Sequence, residues 1–459
     1  MITSFFRRTS RVAVIALACL ASPSLAQTAG KPSFVGINIA GAEFNASKLP
    51  GVYGQDYIYP SSKDMDYFFG KGFNTIRLPF RWERLQPRLN GPFEPEEFAR
   101  IDRVVSYAAA HKAHVVLDPH NYARYYGNMI GSSAVPFTAY AAFWRDLATR
   151  YKNHPYVIFG LMNEPNKISA QEWRKAVDAA MTAIRGTGAN NIILVPGTRW
   201  TGAHSWSSSS DGWSNAVVFE DLKDPANNMI FEVHQYLDDD YSGTSGSCQS
   251  ESIGVTTLQE FTDWARRNHH RAFLGEFAGG ANDTCMTALD RMLSYMEANA
   301  DVWTGWTYWA AGAWWGNYYF SVQPTSSGGD KPQMAVLEKH LDVEEASDSG
   351  QVANQEPPSD TTTDTSSDTT TDTSSDTTAD TSSDTTADTS SDTTTDTSSD
   401  TTADTSHSST SSDESLEKQS ARKTRQKTKR KTNRRKRSGH YEWRDTDGDG
   451  RYGRYFVRD

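Results

Sequence analysis

Eight short apolar runs, spaced along about three hundred residues and separated by stretches with helical periodicity, constrain this chain more than any other feature. They cover residues 34–39, 74–78, 114–118, 157–162, 192–195, 230–233, 272–275 and 304–308. Several are continuously apolar rather than alternating, which is the pattern of strands covered on both faces. Helical stretches are expected between them, at 139–151, 170–185, 256–268 and 286–299. In the first of these, Tyr140, Phe143, Trp144 and Leu147 recur at helical spacing. Strands alternating with helices imply a parallel sheet. Eight such units imply an α/β fold of the (β/α)8 TIM-barrel type, with functional groups at the C-terminal ends of the strands.

Two glutamates stand at such ends. The run 157–162 leads into Asn163-Glu164-Pro165, and the run 272–275 leads into Glu276-Phe277. Burying an unpaired carboxylate costs several kcal/mol, so a strand tip pointing into a core is a poor place for one. The mouth of a barrel is a good place, and two carboxylates facing each other are the equipment of glycosidic-bond cleavage.

The rest of the chain is of a different kind. Residues 1–26 read as a secretory signal, with Arg7, Arg8 and Arg11, an apolar core from Val12 to Leu20, and a small-x-small site at Ser24-Leu25-Ala26. The apolar run is too short to span a bilayer, and no transmembrane segment is expected. Lipid attachment at Cys19 is the alternative, although Ala16 stands where that signal favours Leu. Signal removal leaves Cys248 and Cys285, and an even pair in an exported protein suggests one disulfide; two separate buried thiols are the other reading. No CxxC or HExxH spacing occurs, so no metal site is expected.

Residues 27–345 form the expected barrel domain, and 346–417 an acidic linker. Within the linker an eight-residue Asp-Thr-Thr-Ala-Asp-Thr-Ser-Ser type of unit repeats, without an aromatic or large aliphatic residue. Such a segment cannot bury enough apolar surface to offset chain entropy and is expected to be a disordered spacer. Residues 418–459 form a basic tail ending in a short aromatic peptide, expected, like the linker, to be disordered. The charge suits an anionic surface polymer; nucleic acid would need the same charge but is not an expected partner of an exported protein. The net charge of −11 therefore averages an acidic block and a basic one. The stretch Asp445-Thr446-Asp447-Gly448-Asp449-Gly450 matches the first half of an EF-hand loop, but Phe456 occupies the position of the bidentate glutamate.

Over roughly residues 34–340 the chain resembles glycoside hydrolase family 5, the large cellulase family of clan A. The marks are Asn163-Glu164-Pro165 and Gly275-Glu276-Phe277, each after an apolar strand, with the glutamates about 110 residues apart. The resemblance implies Glu164 as acid/base and Glu276 as nucleophile. It implies that Arg77, in Asn74-Thr75-Ile76-Arg77-Leu78-Pro79, binds the nucleophile by charge-assisted hydrogen bonding. His120, in Asp118-Pro119-His120-Asn121-Tyr122, would contact substrate in the −1 subsite, and Asn163 would bond the sugar 2-hydroxyl. His234 would support the acid/base, Tyr236 would orient the nucleophile, and Trp309 would underlie the −1 sugar. Cys248 and Cys285 would then lie in the loops after strands six and seven, near the nucleophile.

Trp82, Tyr122, Trp200, Trp206, Trp213, Trp314 and Trp315 mostly follow strands; a row of aromatic platforms suits an extended polysaccharide, although some of the seven are expected simply to pack the loops. The wording of 118–125 and 309–315 looks most like the secreted endo-β-1,4-glucanase branch. The expected activity is thus retaining hydrolysis of cellulose or soluble β-glucan, without a cofactor, by a monomer. A β-mannanase or xyloglucanase would share the mechanism, and a non-catalytic carbohydrate-binding adhesin is the reading from another class.

Overall fold

The computed structural model describes residues 31–209, 211–341, 439–444 and 453–458. The signal-like segment, the acidic linker, the basic run and the Asp-rich hexapeptide lie outside the described residues.

Eight parallel strands close into a barrel: β1 (Phe34–Ile39), β2 (Thr75–Phe80), β3 (His114–Pro119), β4 (Val157–Gly160), β5 (Ile193–Pro196), β6 (Met229–Tyr236), β7 (Ala272–Ala278) and β8 (Trp303–Ala311). Each strand pairs with its neighbours in sequence, and β8 pairs with β1 to complete the ring. Helices follow the strands: α1 (Ser62–Gly70), α2 (Pro95–Ala110), α3 (Phe137–Tyr151), α4 (Ala170–Gly186), α5 (Asn215–Val218), α6 (Ile253–Arg267), α7 (Asp283–Ala298) and α8 (Met334–Leu337). Local chemistry starts several of them. Ser61 and Asp64 form a capping box on α1, Ser169 caps α4, and Asn282 caps α7 through the amide of Cys285. Pro95 stands in the first turn of α2, where its missing N–H leaves no bond unmade.

The barrel carries two apolar layers. Outside the sheet, strands and helices share one large buried cluster. Inside it, Val116, Ile158, Leu194, Ile230 and Phe273 from β3 to β7 form a separate one. Side chains alternate along a strand, so the residues two and four further on share a face. From Val116 that rule leads to Asp118, and from Ile230 to Glu232 and His234. A polar layer therefore sits on the apolar plug at the C-terminal end of the barrel.

This explains where strand ends differ from expectation. The expected ends at 233 and 275 stop where an apolar run meets polar residues, and the one at 308 stops before Trp309. In the structure β6, β7 and β8 continue through Tyr236, Ala278 and Ala311. Those polar residues face one another inside the barrel rather than marking loops. Strand β4 is shorter than expected, and Leu161 and Met162 pass beyond the ladder while remaining fully buried.

In the tail, β9 (Gly439–Arg444) and β10 (Gly453–Arg458) form an antiparallel pair, with Tyr441 opposite Phe456 and Trp443 opposite Arg454. This strand pair departs from the disordered tail expected from the sequence. Among the described residues no helix is long and apolar enough to cross a membrane.

Candidate active site

Arg77 on β2 is the hub of the polar layer and is fully buried. Its Nε donates to Oε1 of Glu232 at 2.9 Å. Its Nη1 donates to Oδ1 of Asn38 and to Oε1 of Glu276, both at 3.0 Å, and lies 3.1 Å from Oδ2 of Asp118. Its Nη2 donates to Oδ1 of Asn163 at 2.9 Å. One rigid guanidinium fork thus ties together strands β1, β2, β3, β6 and β7 and the tip of β4. Burial of Arg77 opposes its charge, but Asp118, Glu232 and Glu276 outweigh that and raise its pKa further.

Glu276 reaches this hub through an irregularity in β7. The register of β6 on β7 runs Val233↔Leu274 and then His234↔Glu276, so Gly275 is an extra residue in β7. A bulge of this kind reverses the side-chain alternation and re-aims the residue that follows. It turns Glu276 inward, and it leaves the Gly275 carbonyl outside the ladder. That carbonyl accepts from Nδ2 of Asn38 at 2.9 Å and from the hydroxyl of Thr307 at 2.6 Å. Only glycine fits at the bulge, because a Cβ there would lie 2.2 Å from Oε1 of Glu232.

Glu164 lies beyond the end of β4 in a left-handed conformation, with φ of 42°, uncommon for a residue other than glycine. Its Oε1 lies 3.0 Å from Nδ1 of His234. The same Nδ1 is 3.6 Å from Oε2 of Glu276, and Nε2 is 3.5 Å from Oε1 of Glu232. Burial pulls the His234 pKa down, but Glu276, Glu164 and Glu232 outweigh it and push the value up to about 10. His234 is therefore an imidazolium held among three carboxyl groups. Ligand atoms of Glu164, His234 and Glu276 all lie within 4.8 Å of one another.

Tyr236, two residues further along β6, donates its hydroxyl to Oε2 of Glu276 at 2.7 Å. Burial and the Glu276 charge hold that phenol well above its ordinary pKa, so it remains a donor. Its ring is fixed from two sides. Phe320 stacks on it at 6.0 Å, and a Cβ on Gly243 would stand 2.7 Å from it. The Gly243 loop is organised by Asp238, whose carboxylate accepts from the amides of Gly243, Thr244 and Ser245. The Cys248–Cys285 disulfide joins this loop to the first turn of α7, so Cys285 lies in a helix rather than in the expected loop.

On the opposite side, His120 stacks on Trp309 with centroids 5.6 Å apart and an interplanar angle of 20°. Burial holds the His120 pKa well below its usual value, so the ring is neutral. Arg77 has only donors, which orients Asn163 so that Nδ2 donates to Nε2 of His120 at 3.0 Å. The proton of His120 is then on Nδ1, which donates to Oδ2 of Asp118 at 2.8 Å. Burial raises the Asp118 carboxyl to about 7 against the pull of Arg77.

All eight residues expected in the active site thus meet in one place: Arg77, His120, Asn163, Glu164, His234, Tyr236, Glu276 and Trp309. Three more belong with them. Asn38, Asp118 and Glu232 are fully or almost fully buried and complete the bonding of Arg77. Burial opposes ionisation of Glu232, but Arg77 and His234 outweigh it and hold the carboxyl below its usual range. The aromatic row divides into packing residues and exposed ones. Trp82, Trp206 and Trp315 are buried core residues. Trp82 packs on Tyr125, Tyr140 and Phe143, and Trp206 on Phe219, Phe231, Phe261 and Trp264. Trp200 and Trp213 are half exposed.

The family described as Cellulase (glycosyl hydrolase family 5) matches residues 37–312. Endo-beta-1,4-glucanase B of Aspergillus niger is 39% identical over 307 residues, spanning 67% of this chain and 89% of that protein. Endo-beta-1,4-glucanase A of Emericella nidulans is 40% identical over 319 residues, spanning 69% and 95%. Among solved structures, XacCel5A in complex with cellopentaose is 56% identical, with a TM-score of 0.67, covering 68% of this chain and 99% of that one. The Pseudomonas stutzeri endoglucanase Cel5A in complex with cellobiose is 36% identical, with a TM-score of 0.63, covering 68% and 93%. A closed parallel barrel, a match over most of that barrel and relatives of this similarity lead to one statement: the chain belongs to glycosyl hydrolase family 5, the cellulase family.

Proposed function

We propose that the protein is a secreted, retaining endo-β-1,4-glucanase acting on cellulose or soluble β-glucan. The observation that carries the mechanism is the approach of Glu164 and Glu276, whose oxygens come within 4.8 Å across His234. Retaining glycosidases hold their carboxyl groups about 5–5.5 Å apart, whereas inverting enzymes leave about 6.5–9.5 Å for a water. The glucan reading is supported by relatives named as endo-β-1,4-glucanases.

In the first step Glu164 gives its proton to the glycosidic oxygen while Oε1 or Oε2 of Glu276 attacks the anomeric carbon. The bond to the leaving sugar breaks, and a glycosyl ester forms on Glu276. In the second step Glu164 takes a proton from water, whose oxygen displaces Glu276 from the same carbon. Two inversions restore the β configuration, and both steps balance with water as the only co-reactant. Arg77 and Tyr236 each donate to one oxygen of Glu276, which fixes the carboxylate plane for attack. Asn163, Trp309 and His120 would bind the −1 sugar.

Export is supported by the signal-like segment 1–26 and by the disulfide, which persists in oxidising compartments. The spacer 346–417 and the tail 418–459 would act outside catalysis, as a tether to an anionic surface polymer, on a monomeric enzyme.

The test is hydrolysis of carboxymethylcellulose and galactomannan, side by side, by the parent chain, Glu164→Ala and Glu276→Ala. Rapid viscosity loss on the cellulose derivative, abolished by either substitution, is expected. Activity on galactomannan alone would replace the substrate, and activity surviving both substitutions would overturn the site.

A further inference from the structure

A second aromatic feature lies apart from the Arg77 network. The loop after β5 leads through Trp213 into α5, which is capped by the Ser214 hydroxyl. Trp213 is 49% exposed and Val217, one turn further on, is 50% exposed. Beside them run the first turns of α4, which present Gln171 and Arg174 on one face because residues three apart are neighbours on a helix. Together with Glu220 and Asp221 these side chains line an open groove of about 490 Å³. That volume is in the range of small-ligand sites. Helix α4 begins where β4 ends, so the groove belongs to the same end of the barrel as the catalytic carboxylates, on its outer flank.

The groove's chemistry selects its occupant. Arg174 is held by Asp178 at 2.9 Å, by Asp221 at 2.8 Å and by the carbonyl of Val218 at 2.7 Å. Its charge is matched within the protein, and Glu220 adds a further negative charge. A polyanion is therefore disfavoured. A protein partner needs about 800 Å² on each side, far more than these few side chains offer. What remains is an apolar indole face with fixed hydrogen-bonding groups at its edge. A pyranose ring has the complementary form, a flat C–H face bordered by hydroxyls. Arg174 and Asp221 already hold each other, so those two side chains lose little entropy on binding.

We propose that this groove is a second polysaccharide-binding site, separate from the catalytic mouth, which holds a neutral β-glucan chain against Trp213. The inference rests on the glucan reading above for its choice of sugar. Such a site keeps a long chain on the enzyme between cuts and has no effect on a substrate too short to reach it.

The test uses the full chain in two formats. In native gels containing hydroxyethylcellulose, with Glu276→Gln as the non-hydrolysing parent, Trp213→Ala weakens retardation by about three- to tenfold. Trp213→Tyr, which keeps a smaller aromatic face, falls between the two. In the otherwise unsubstituted enzyme, Trp213→Ala leaves kcat/KM on cellopentaose unchanged. Equal retardation of parent and Trp213→Ala would overturn the proposal. An equal loss on cellopentaose would also overturn it, by placing Trp213 in the catalytic cleft. A parent chain that hydrolyses no β-glucan would instead refute the glucan reading, and with it the ligand assigned here.

Discussion

Gly275, the unpaired residue of β7, lies against the side chain of Glu232 on β6, and the space its missing side chain would need is filled by that carboxylate. A Cβ on Gly275 would lie 2.2 Å from Oε1 of Glu232. That oxygen receives Nε of Arg77 at 2.9 Å, and Arg77 in turn binds Glu276. The bulge that aims Glu276 and the ion pair that holds it therefore depend on one absent methyl group. Gly275→Ala is expected to force Glu232 away from Arg77. Breaking a buried ion pair costs about 3–5 kcal/mol. Urea unfolding should show a loss of that size, with hydrolysis falling in parallel. Unchanged stability and activity would mean that Glu232 moves aside at no expense.

Tyr236 supplies one of the two donors to Glu276. Hydrogen bonds to charged groups contribute about 1.5–3 kcal/mol, so Tyr236→Phe should lower kcat/KM by about 10- to 100-fold. The ring remains clamped between Phe320 and the Gly243 loop, so unfolding should change little. A variant of full activity would show that Arg77 alone positions the nucleophile.

The imidazolium of His234 links stability to pH. Burial lowers its pKa, but Glu276, Glu164 and Glu232 win and bring the folded value from 6.5 to about 10. The folded state binds this proton more tightly than the unfolded chain. Its contribution is thus complete below pH 6.5 and is lost as pH rises toward about 10. The stability difference between the parent and His234→Asn should shrink across that window in urea titrations. A difference that stays constant would contradict the charged assignment.

The Cys248–Cys285 disulfide closes a loop of 37 residues between β6 and α7. Cross-linking a loop of that length restricts the unfolded chain by about 2–4 kcal/mol. The double variant Cys248→Ala/Cys285→Ala should lose that much stability. It should lose activity as well, because the tethered loop packs on Tyr236 through Gly243. Lost stability with full activity would confine the disulfide to a structural role.

Much of this arrangement is legible in the amino-acid sequence. The barrel follows from eight apolar runs, since strands buried on both faces are mostly apolar. Glu164 and Glu276 are legible because each follows such a run, whereas Arg77, His120, Asn163, His234, Tyr236 and Trp309 are legible through the motifs that carry the family resemblance. Glu232 is harder because it lies inside a run and reads as strand. A lone acid between Phe231 and Val233 is nevertheless a signal, since a buried carboxylate is costly there without a cation or hydrogen-bond donors. Asn38 is legible only once the Gly275 carbonyl is seen to leave the ladder. A one-residue bulge changes no composition, so the strand pairing alone reveals it. The buried positions of Trp82, Trp206 and Trp315 depend on neighbours far away in the chain. Aromatic residues after strands pack loops as readily as they bind sugars.

The central claim is that Glu276 attacks the anomeric carbon with Glu164 as its proton partner. The most direct measurement is mass spectrometry of the enzyme after reaction with 2,4-dinitrophenyl 2-deoxy-2-fluoro-β-cellobioside, a substrate whose glycosyl ester turns over slowly. One glycosyl adduct, on the peptide that carries Glu276, is the predicted result. An adduct on another residue, or turnover with inverted configuration and no adduct, would contradict it.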